Sequence, residues 1–369
     1  MTMLSTSAAG SPRTRIARCL KASAAAAIGL VLGMTSAHAQ TKLADRSALT
    51  DRSSLTASST APAISVNKYT ATILPLDYAG DMNPDGLIVG SAGGLPAVYV
   101  DGSVRYLAVP RGYTAVVASA VSTDGRIVGY GKSGKDTRGI YWRSYIDPAK
   151  DMGAMSNYTI PLGVNQRGEV VGYFNSGDRQ LPHAFRWTLA EGYKDIHPTG
   201  YDLSIAYGIS KSSYIAGYST FGQNQFNASR WYPTLAHGSI ARGTGMRVFD
   251  DGRVLGTGFD SDGVTQISVI WDLSNTQAPV GPNPVTHNVY DINANNRMVG
   301  TSTSGQAWTT LNNSAVTYLP LPAGKYGFAS RVSTCGAILG GYSTGIGTSQ
   351  PMLWTHMTCD QPTAVKLAP

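Results

Sequence analysis

Glutamate, and charge in general, are scarce in this sequence. Only 14 % of its 369 residues are charged, against about 25 % in typical soluble domains, and just two residues are glutamate, Glu169 and Glu191. Helical bundles and coiled coils need many Glu, Lys and Arg residues, so the composition argues against an all-helical fold. Extensive disorder is also disfavoured, because 42 % of the residues are hydrophobic. The 42 glycines and 20 tyrosines instead favour an all-β fold with many turns.

The first 39 residues have the pattern of a cleaved signal peptide. An apolar run spans residues 22–34, and Ala37 and Ala39 provide the small residues expected before a cleavage site. The basic residues that precede the run are Arg13, Arg15, Arg18 and Lys21. The run is shorter than the roughly 20 residues that cross a bilayer, and no other apolar run reaches its length. We therefore expect an exported protein, periplasmic or extracellular, without a transmembrane segment.

Excluding this segment changes the charge balance of the chain. It holds four basic and no acidic residues, so residues 40–369 carry 25 basic and 22 acidic residues, a net charge of +3 rather than +7. Nucleic-acid-binding domains are usually strongly basic, with Lys and Arg gathered in a patch or stripe. The sequence therefore predicts no nucleic-acid partner. Separately, we expect the protein to be a monomer.

Cysteine is almost absent from the exported part of the chain. Only Cys335 and Cys359 remain after residue 39. In an oxidising compartment two such residues favour a single disulfide, and the alternative is two free thiols.

The exported chain divides into three parts by composition. Residues 40–68 are polar and rich in Ser and Thr, without apolar periodicity, which predicts a disordered linker. Residues 69–359 contain a repeated pattern, and residues 360–369 form a tail rich in Pro and small residues.

The repeated pattern is an apolar pair followed by glycine. It occurs seven times, with 39 to 45 residues between successive glycines. These glycines are Gly90, Gly129, Gly172, Gly217, Gly256, Gly300 and Gly340. A turn such as Asn83-Pro-Asp-Gly86 precedes each copy of the pattern, and an aromatic residue follows it, Tyr99 in the first copy and one of the six tryptophans in each of the others. We expect these rings to pack between neighbouring units, with ligand stacking as the alternative.

Each copy contains four short strand patterns in about 42 residues, which is the period of a propeller blade. The sequence therefore predicts a seven-bladed β-propeller of four-stranded blades. The seventh copy ends after its third strand, at Trp354. Residues 69–76 provide a spare strand that we expect to complete this last blade, and ring closure of this kind removes open sheet edges.

The third copy carries the residues of a known family. Its Asn165-Gln-Arg-Gly-Glu-Val-Val-Gly-Tyr173 and His183-Ala-Phe-Arg-Trp187 stretches resemble the HAF-type extracellular repeats of bacteria. Copies one, five and seven lack the His-Ala-Phe core. The resemblance covers roughly residues 69–357 and implies an exported repeat protein, and it implies no catalytic residues.

One position of the repeat differs strongly between copies. It immediately precedes the last apolar residue of the first strand, and it is small in copies two to four. In copies five, six, seven and one it is Arg247, Asp291, Arg331 and Asp81. Because these copies become contiguous once the ring closes, the four charges are expected to cluster beside the central channel. They predict either a salt-bridge network between blades or a polar ligand site.

The loops at the opposite face of the ring hold further candidate binding residues, namely His197, Tyr201, His237 and His287. No motif for a metal, cofactor, phosphate or nucleophile accompanies them. Both glutamates fall in turns and are expected to face solvent. Two hypotheses remain, a non-enzymatic exported propeller that contacts a glycan or protein, and a secreted propeller hydrolase or lyase that acts on a polysaccharide or another polymer.

Overall fold

Antiparallel strands make up the whole regular structure of the computed structural model, which describes residues 64–66, 68–177, 179–222, 225–345 and 347–356. The amino-terminal hairpin consists of β1 (Ile64–Val66) and β2 (Tyr69–Ile73). Blade 1 contains β3 (Tyr78–Met82), β4 (Ile88–Ala92), β5 (Leu95–Val100) and β6 (Ser103–Tyr106). Blade 2 contains β7 (Tyr113–Val121), β8 (Ile127–Ser133), β9 (Asp136–Trp142) and β10 (Lys150–Asp151).

The remaining five blades follow the same order of strands. Blade 3 contains β11 (Thr159–Val164), β12 (Val170–Ser176), β13 (Leu181–Thr188) and β14 (Gly192–Asp195). Blade 4 contains β15 (Leu203–Ile209), β16 (Ile215–Thr220), β17 (Phe226–Trp231) and β18 (His237–Arg242). Blade 5 contains β19 (Thr244–Val248), β20 (Val254–Phe259), β21 (Gln266–Trp271) and β22 (Gln277–Pro279). Blade 6 contains β23 (His287–Ile292), β24 (Arg297–Ser302), β25 (Ala307–Leu311) and β26 (Thr317–Tyr318), and blade 7 contains β27 (Gly327–Val332), β28 (Ile338–Gly345) and β29 (Thr348–His356).

These sheets form a ring, so the predicted all-β, seven-bladed β-propeller is confirmed. The first strands of the blades contact one another around the ring and border its central channel. Among the described residues there is no helix that is long and apolar enough to cross a membrane.

The predicted ring closure is also confirmed. β2 pairs antiparallel with β29, from Tyr69 opposite His356 to Ile73 opposite Met352, and so completes blade 7. The predicted linker boundary at residue 68 needs correction, since β1 lies within that linker and pairs with β2 as a fifth strand. Its alternating Ile-Ser-Val sequence suits a short strand.

The repeated turn before each apolar pair joins the first and second strands of a blade, and its side chain bonds to the next blade. In blade 1 the Asn83 side-chain oxygen accepts hydrogen bonds from the backbone N–H groups of Asp85 and Leu87, while Gly86 takes a φ of 89° that glycine adopts without strain. The Asn83 amide also donates to Ser122 O of blade 2 at 3.3 Å. Equivalent bonds join Asn165 to Ser210 O and Asn293 to Ser333 O, at 2.9 and 2.8 Å.

The tryptophans pack between blades, as expected. Each of the six is at most 3 % exposed and shares a hydrophobic cluster with residues of the preceding blade. In three blades the indole N–H donates to a carbonyl near the end of that preceding blade, at 2.8 Å in each case. The donors are Trp142, Trp231 and Trp354. These rings therefore act as spacers that hold the blades together.

Several predictions concern residues outside the described ranges. They are the signal peptide at residues 1–39, the linker up to residue 63, the tail at residues 360–369 and the half-cystine Cys359. These assignments stay predictions.

We expect a disulfide between Cys335 and Cys359 in the exported protein. Cys335 lies exposed in the turn between β27 and β28, at the blade where the ring closes. The bond would close a loop of about 24 residues, worth about 3 kcal/mol on the chain-entropy model. Mass spectrometry of unreduced peptides should find the cross-linked pair, and reduction should lower the melting temperature by about 5–10 °C. Two freely alkylated thiols would contradict this pairing.

Candidate functional site

The four charged residues of the variable repeat position meet beside the central channel, as their spacing predicted. Arg247 Nε lies 3.0 Å from Asp291 Oδ1, and Arg331 Nε lies 2.5 Å from Asp81 Oδ1. Each first strand has a β-bulge just before this position, which turns the side chain toward the next blade. The two ion pairs therefore join blade 5 to blade 6 and blade 7 to blade 1.

The carboxylates continue this chain of contacts through backbone groups. Asp81 Oδ2 accepts from Val121 N of blade 2 at 3.1 Å, and Asp291 Oδ2 accepts from Val332 N of blade 7 at 3.0 Å. Burial raises the pKa of Asp291, and the nearby guanidinium groups of Arg247 and Arg331 oppose this rise. The four charged side chains are thus linked to one another and to backbone N–H groups across five consecutive blades. This arrangement agrees with the hypothesis of a salt-bridge network between blades.

A separate groove lies between the outer strands of blades 3 and 4. Its volume is about 490 Å³, and it is largely open to solvent. The segment that follows β14 forms one wall, and the turn between β17 and β18 forms the other. The lining residues include Lys194, Asp195, His197, Thr199, Thr234 and His237. Two of the predicted binding histidines therefore share one groove.

His197 is held by hydrogen bonds at both ring nitrogens. Its Nε2 lies 2.9 Å from Tyr201 O, a carbonyl that can only accept, so Nε2 carries the hydrogen. Its Nδ1 lies 2.8 Å from Ser204 Oγ, and that oxygen also accepts from Ala184 N at 2.9 Å. In the neutral ring with the hydrogen on Nε2, Nδ1 is the acceptor, so the Ser204 hydroxyl donates its hydrogen to His197.

His237 occupies the blade 4 side of the groove. Its Nε2 lies 3.1 Å from Ser229 Oγ, and its ring packs edge-on against Trp231 and Tyr201, with centroids 5.2 Å away in both cases. Burial, together with the neighbouring His197, lowers the pKa of His237 to about 4. The ring is accordingly neutral at pH 7 and can donate or accept hydrogen bonds without a charge.

His183 belongs to this cluster, although its place in the repeat motif suggested only a structural role. It stacks face to face on His197, with ring centroids 3.7 Å apart and planes 8° from parallel. Asp195 Oδ2 lies 3.4 Å from His183 Nδ1. Sequence reasoning missed this contact, as well as Ser204 and Ser229, because neighbouring strands bring these residues together without any repeated spacing.

His287 does not join the groove. It begins β23 in blade 6, where its Nε2 lies 3.3 Å from Tyr318 Oη and its ring packs against Trp308. The structure thus brings together His197, Tyr201 and His237, and leaves His287 at a separate place.

The chemistry available in the groove is hydrogen bonding. Ser204 and Ser229, the hydroxyls paired with imidazoles, have no exposed surface, so neither offers its oxygen to a substrate. Within the described ranges no three His, Cys, Asp or Glu side chains converge as a metal-binding set. The neutral His237 ring and the exposed hydroxyls of Thr199 and Thr234 suit a ligand that is itself rich in hydrogen-bonding groups.

One expectation about the glutamates is wrong. Glu169 is only 7 % exposed, because side chains from two blades surround it. Its carboxylate accepts from Asn165 Nδ2 at 2.7 Å, from Arg186 Nη2 at 2.7 Å and from the Ser213 hydroxyl of blade 4. Burial raises its pKa, but these hydrogen bonds outweigh that effect and hold the pKa below its ordinary value. Glu191 is exposed, as expected.

Comparison with known proteins finds similarity at the level of the fold. No protein-family model and no curated protein matches this chain. A structure of YCF48 bound to D1 peptide is 12 % identical, covers 80 % of this chain and 99 % of its own, and has a TM-score of 0.52. A putative TolB from Agrobacterium tumefaciens (12 % identity, 54 % and 78 % coverage, TM-score 0.41) and an oligogalacturonate lyase in complex with manganese (13 % identity, 76 % coverage of each chain, TM-score 0.42) are more distant. What the YCF48 structure shares with this chain is the fold.

Proposed function

We propose that this chain is an exported, non-enzymatic β-propeller that binds a glycan in the groove between blades 3 and 4. The observation that carries the proposal is a groove lined by His237, which is neutral at pH 7, and by the exposed hydroxyls of Thr199 and Thr234. Neutral donors and acceptors match sugar hydroxyls without the cost of burying an unpaired charge. Export is inferred from the signal-peptide pattern and from the resemblance to HAF-type repeats.

The channel cluster supports the binding hypothesis less well than the groove does. Asp81 and Asp291 each hold an arginine and a backbone N–H group. A general acid or base must exchange a proton with a substrate, and no feature of these ion pairs favours that role over a structural one.

Blocking the groove should abolish glycan binding. Thr234 is an exposed groove residue in the turn between β17 and β18, and Thr234→Arg places a long side chain in the groove without removing a core contact. On a glycan array, and then by calorimetry with a glycan found on it, the variant should bind at least about tenfold more weakly than the wild type.

The repeat provides a matched control for this variant. Ser274 is exposed at the equivalent position of the turn between β21 and β22 in blade 5, so Ser274→Arg adds the same side chain away from the groove and should retain binding. Equal binding by wild type and Thr234→Arg, or no glycan bound by the wild type, would overturn the proposal. Cleavage of a bound glycan would instead establish the hydrolase or lyase alternative.

A further inference from the structure

The segment between blades 3 and 4 is attached at its two ends, and the His197 ring makes the only side-chain hydrogen bond described between its middle and Ser204 of blade 4. At its start, Ile196 O accepts from Trp231 Nε1 at 2.8 Å. At its end, Asp202 N donates to Thr220 O at 2.8 Å. Between these points His197 makes the bonds to Ser204 and Tyr201 described above, and Gly200 has a φ of 87°. The residues 197–201 therefore form a short loop. It is held by the His197 ring, by the His197 N–H that donates to Asp195 Oδ1 at 2.8 Å, and by the Tyr201 ring against His237.

A second proton on His197 would break one bond of this network. Protonated Nδ1 can no longer accept from the Ser204 hydroxyl and would itself donate to Ser204 Oγ. The Ser204 hydrogen would then lose its acceptor, and Ser204 has no exposed surface through which water could replace it. Protonation thus leaves the hydrogen of a buried hydroxyl without an acceptor.

Burial and the neighbouring His183 ring make it harder for His197 to accept that proton. The His183 ring lies 3.7 Å from His197, so a positive charge on either ring repels one on the other. Burial, then the proximity of His183, lowers the pKa of His197, and Asp195 and Asp202 offset this only in part. The charged and titratable groups around the loop are His183, Lys194, Asp195, Asp202 and His237.

The direction of the pH effect follows from the lowered pKa. The closed loop binds fewer protons than an open one, in which His197 regains its ordinary value of 6.5. Falling pH below 6.5 therefore favours the open loop, and neutral pH favours the closed loop.

We propose that the groove between blades 3 and 4 is a pH-sensitive binding site, in which protonation of His197 releases the loop at residues 197–201 and with it the ligand. The release of ligand rests on the proposed function, whereas the opening of the loop is a property of the protein alone. Loss of the loop removes His197 from the groove and separates Tyr201 from His237.

Hydrogen exchange measured by mass spectrometry tests the loop without any ligand. In the wild type, exchange of the peptide that covers residues 196–203, corrected for the intrinsic pH dependence of exchange, should be about tenfold less protected at pH 5.0 than at pH 7.4. His197→Gln keeps a neutral side chain with an N–H donor, and its protection should change less than about twofold. His287→Gln, in blade 6, should behave as the wild type.

Two results would overturn the proposal, namely equal protection of the wild-type peptide at both pH values, and an equal pH response in His197→Gln. The ligand arm repeats the measurement with the glycan found on the array. Weaker binding at pH 5.0 than at pH 7.4 is expected in the wild type and equally in the His287→Gln control. If the loop opens but no glycan binds at either pH, glycan binding is wrong and the pH-dependent opening of the loop is supported. If a glycan binds but the loop does not open, the pH-dependent opening is wrong and glycan binding is supported.

Discussion

Replacing Arg247 and Arg331 together with methionine is expected to lower the free energy of unfolding by about 3–5 kcal/mol. Methionine keeps much of the side-chain volume, so the change removes charge more than packing. Asp291 and Asp81, whose side chains are 6 % and 14 % exposed, would then lack their guanidinium partners close to the central channel. Urea unfolding at pH 7 measures the loss.

A surface ion pair in the same region provides the control. Arg253 lies 2.7 Å from Asp251, with both side chains about half exposed, so Arg253→Met should cost no more than about 1 kcal/mol. Adding Asp81→Asn and Asp291→Asn to the double arginine variant should recover much of the stability, because no unpaired carboxylate then remains. A loss no greater than that of Arg253→Met would show that the channel charges are well solvated and would favour the ligand-site hypothesis.

Among conservative substitutions in blade 3, Glu169→Gln should lower the free energy of unfolding the most. The amide retains the size of the side chain but removes the charge opposite Arg186, and its NH2 group faces the donors of Asn165 or Ser213. We expect a loss of about 2–4 kcal/mol in the free energy of unfolding. Thermal or urea unfolding at pH 7 measures it.

The other glutamate of the chain is a natural control. Glu191 accepts from the same arginine, at 2.8 Å from Arg186 Nη1, but its side chain is 64 % exposed. Glu191→Gln should therefore change the stability by less than about 1 kcal/mol. The ionised Glu169 carboxylate contributes fully to the free energy of unfolding at pH values above its ordinary pKa of 4.5. This contribution is lost as the pH falls through the lower pKa that Glu169 has in the folded protein. The difference between wild type and Glu169→Gln should shrink in that acidic range, and a difference that is constant with pH would contradict this role for the carboxylate.

Much of the fold could be predicted because the repeat is regular. Each apolar pair and each tryptophan returns at nearly the same spacing. The strands of a copy with a weak pattern can therefore be placed by aligning it with the other six copies. The spare strand at residues 69–76 is predictable because the seventh copy has no fourth strand of its own. β1 escaped prediction because three residues in a Ser- and Thr-rich stretch give no periodic signal, and its pairing depends on β2.

The channel cluster and the groove differ in how far the sequence predicted them. Arg247 and Asp291 occupy one register of the repeat, so stacking the copies was enough to place them near each other. The contact between His183 and His197 depends on the path of a non-repeating loop across two blades, which no local pattern specifies. Glu169 was misplaced for a related reason, because an Arg-Gly-Glu turn is typical of the surface and its burial comes from Ser213 of the neighbouring blade.

The pairing of β2 with β29 has a consequence for how the molecule folds. Tyr69 and His356 are paired partners, although about 290 residues separate them along the chain, and contacts between such distant segments form slowly because the chain entropy must be lost first. Blades 1 to 6 need only local hairpins and neighbour contacts, so they can assemble as the chain emerges, whereas the seventh must wait for both ends. We therefore expect a late closing step in refolding, and an open ring with an unpaired β29 as the species that aggregates when folding is interrupted.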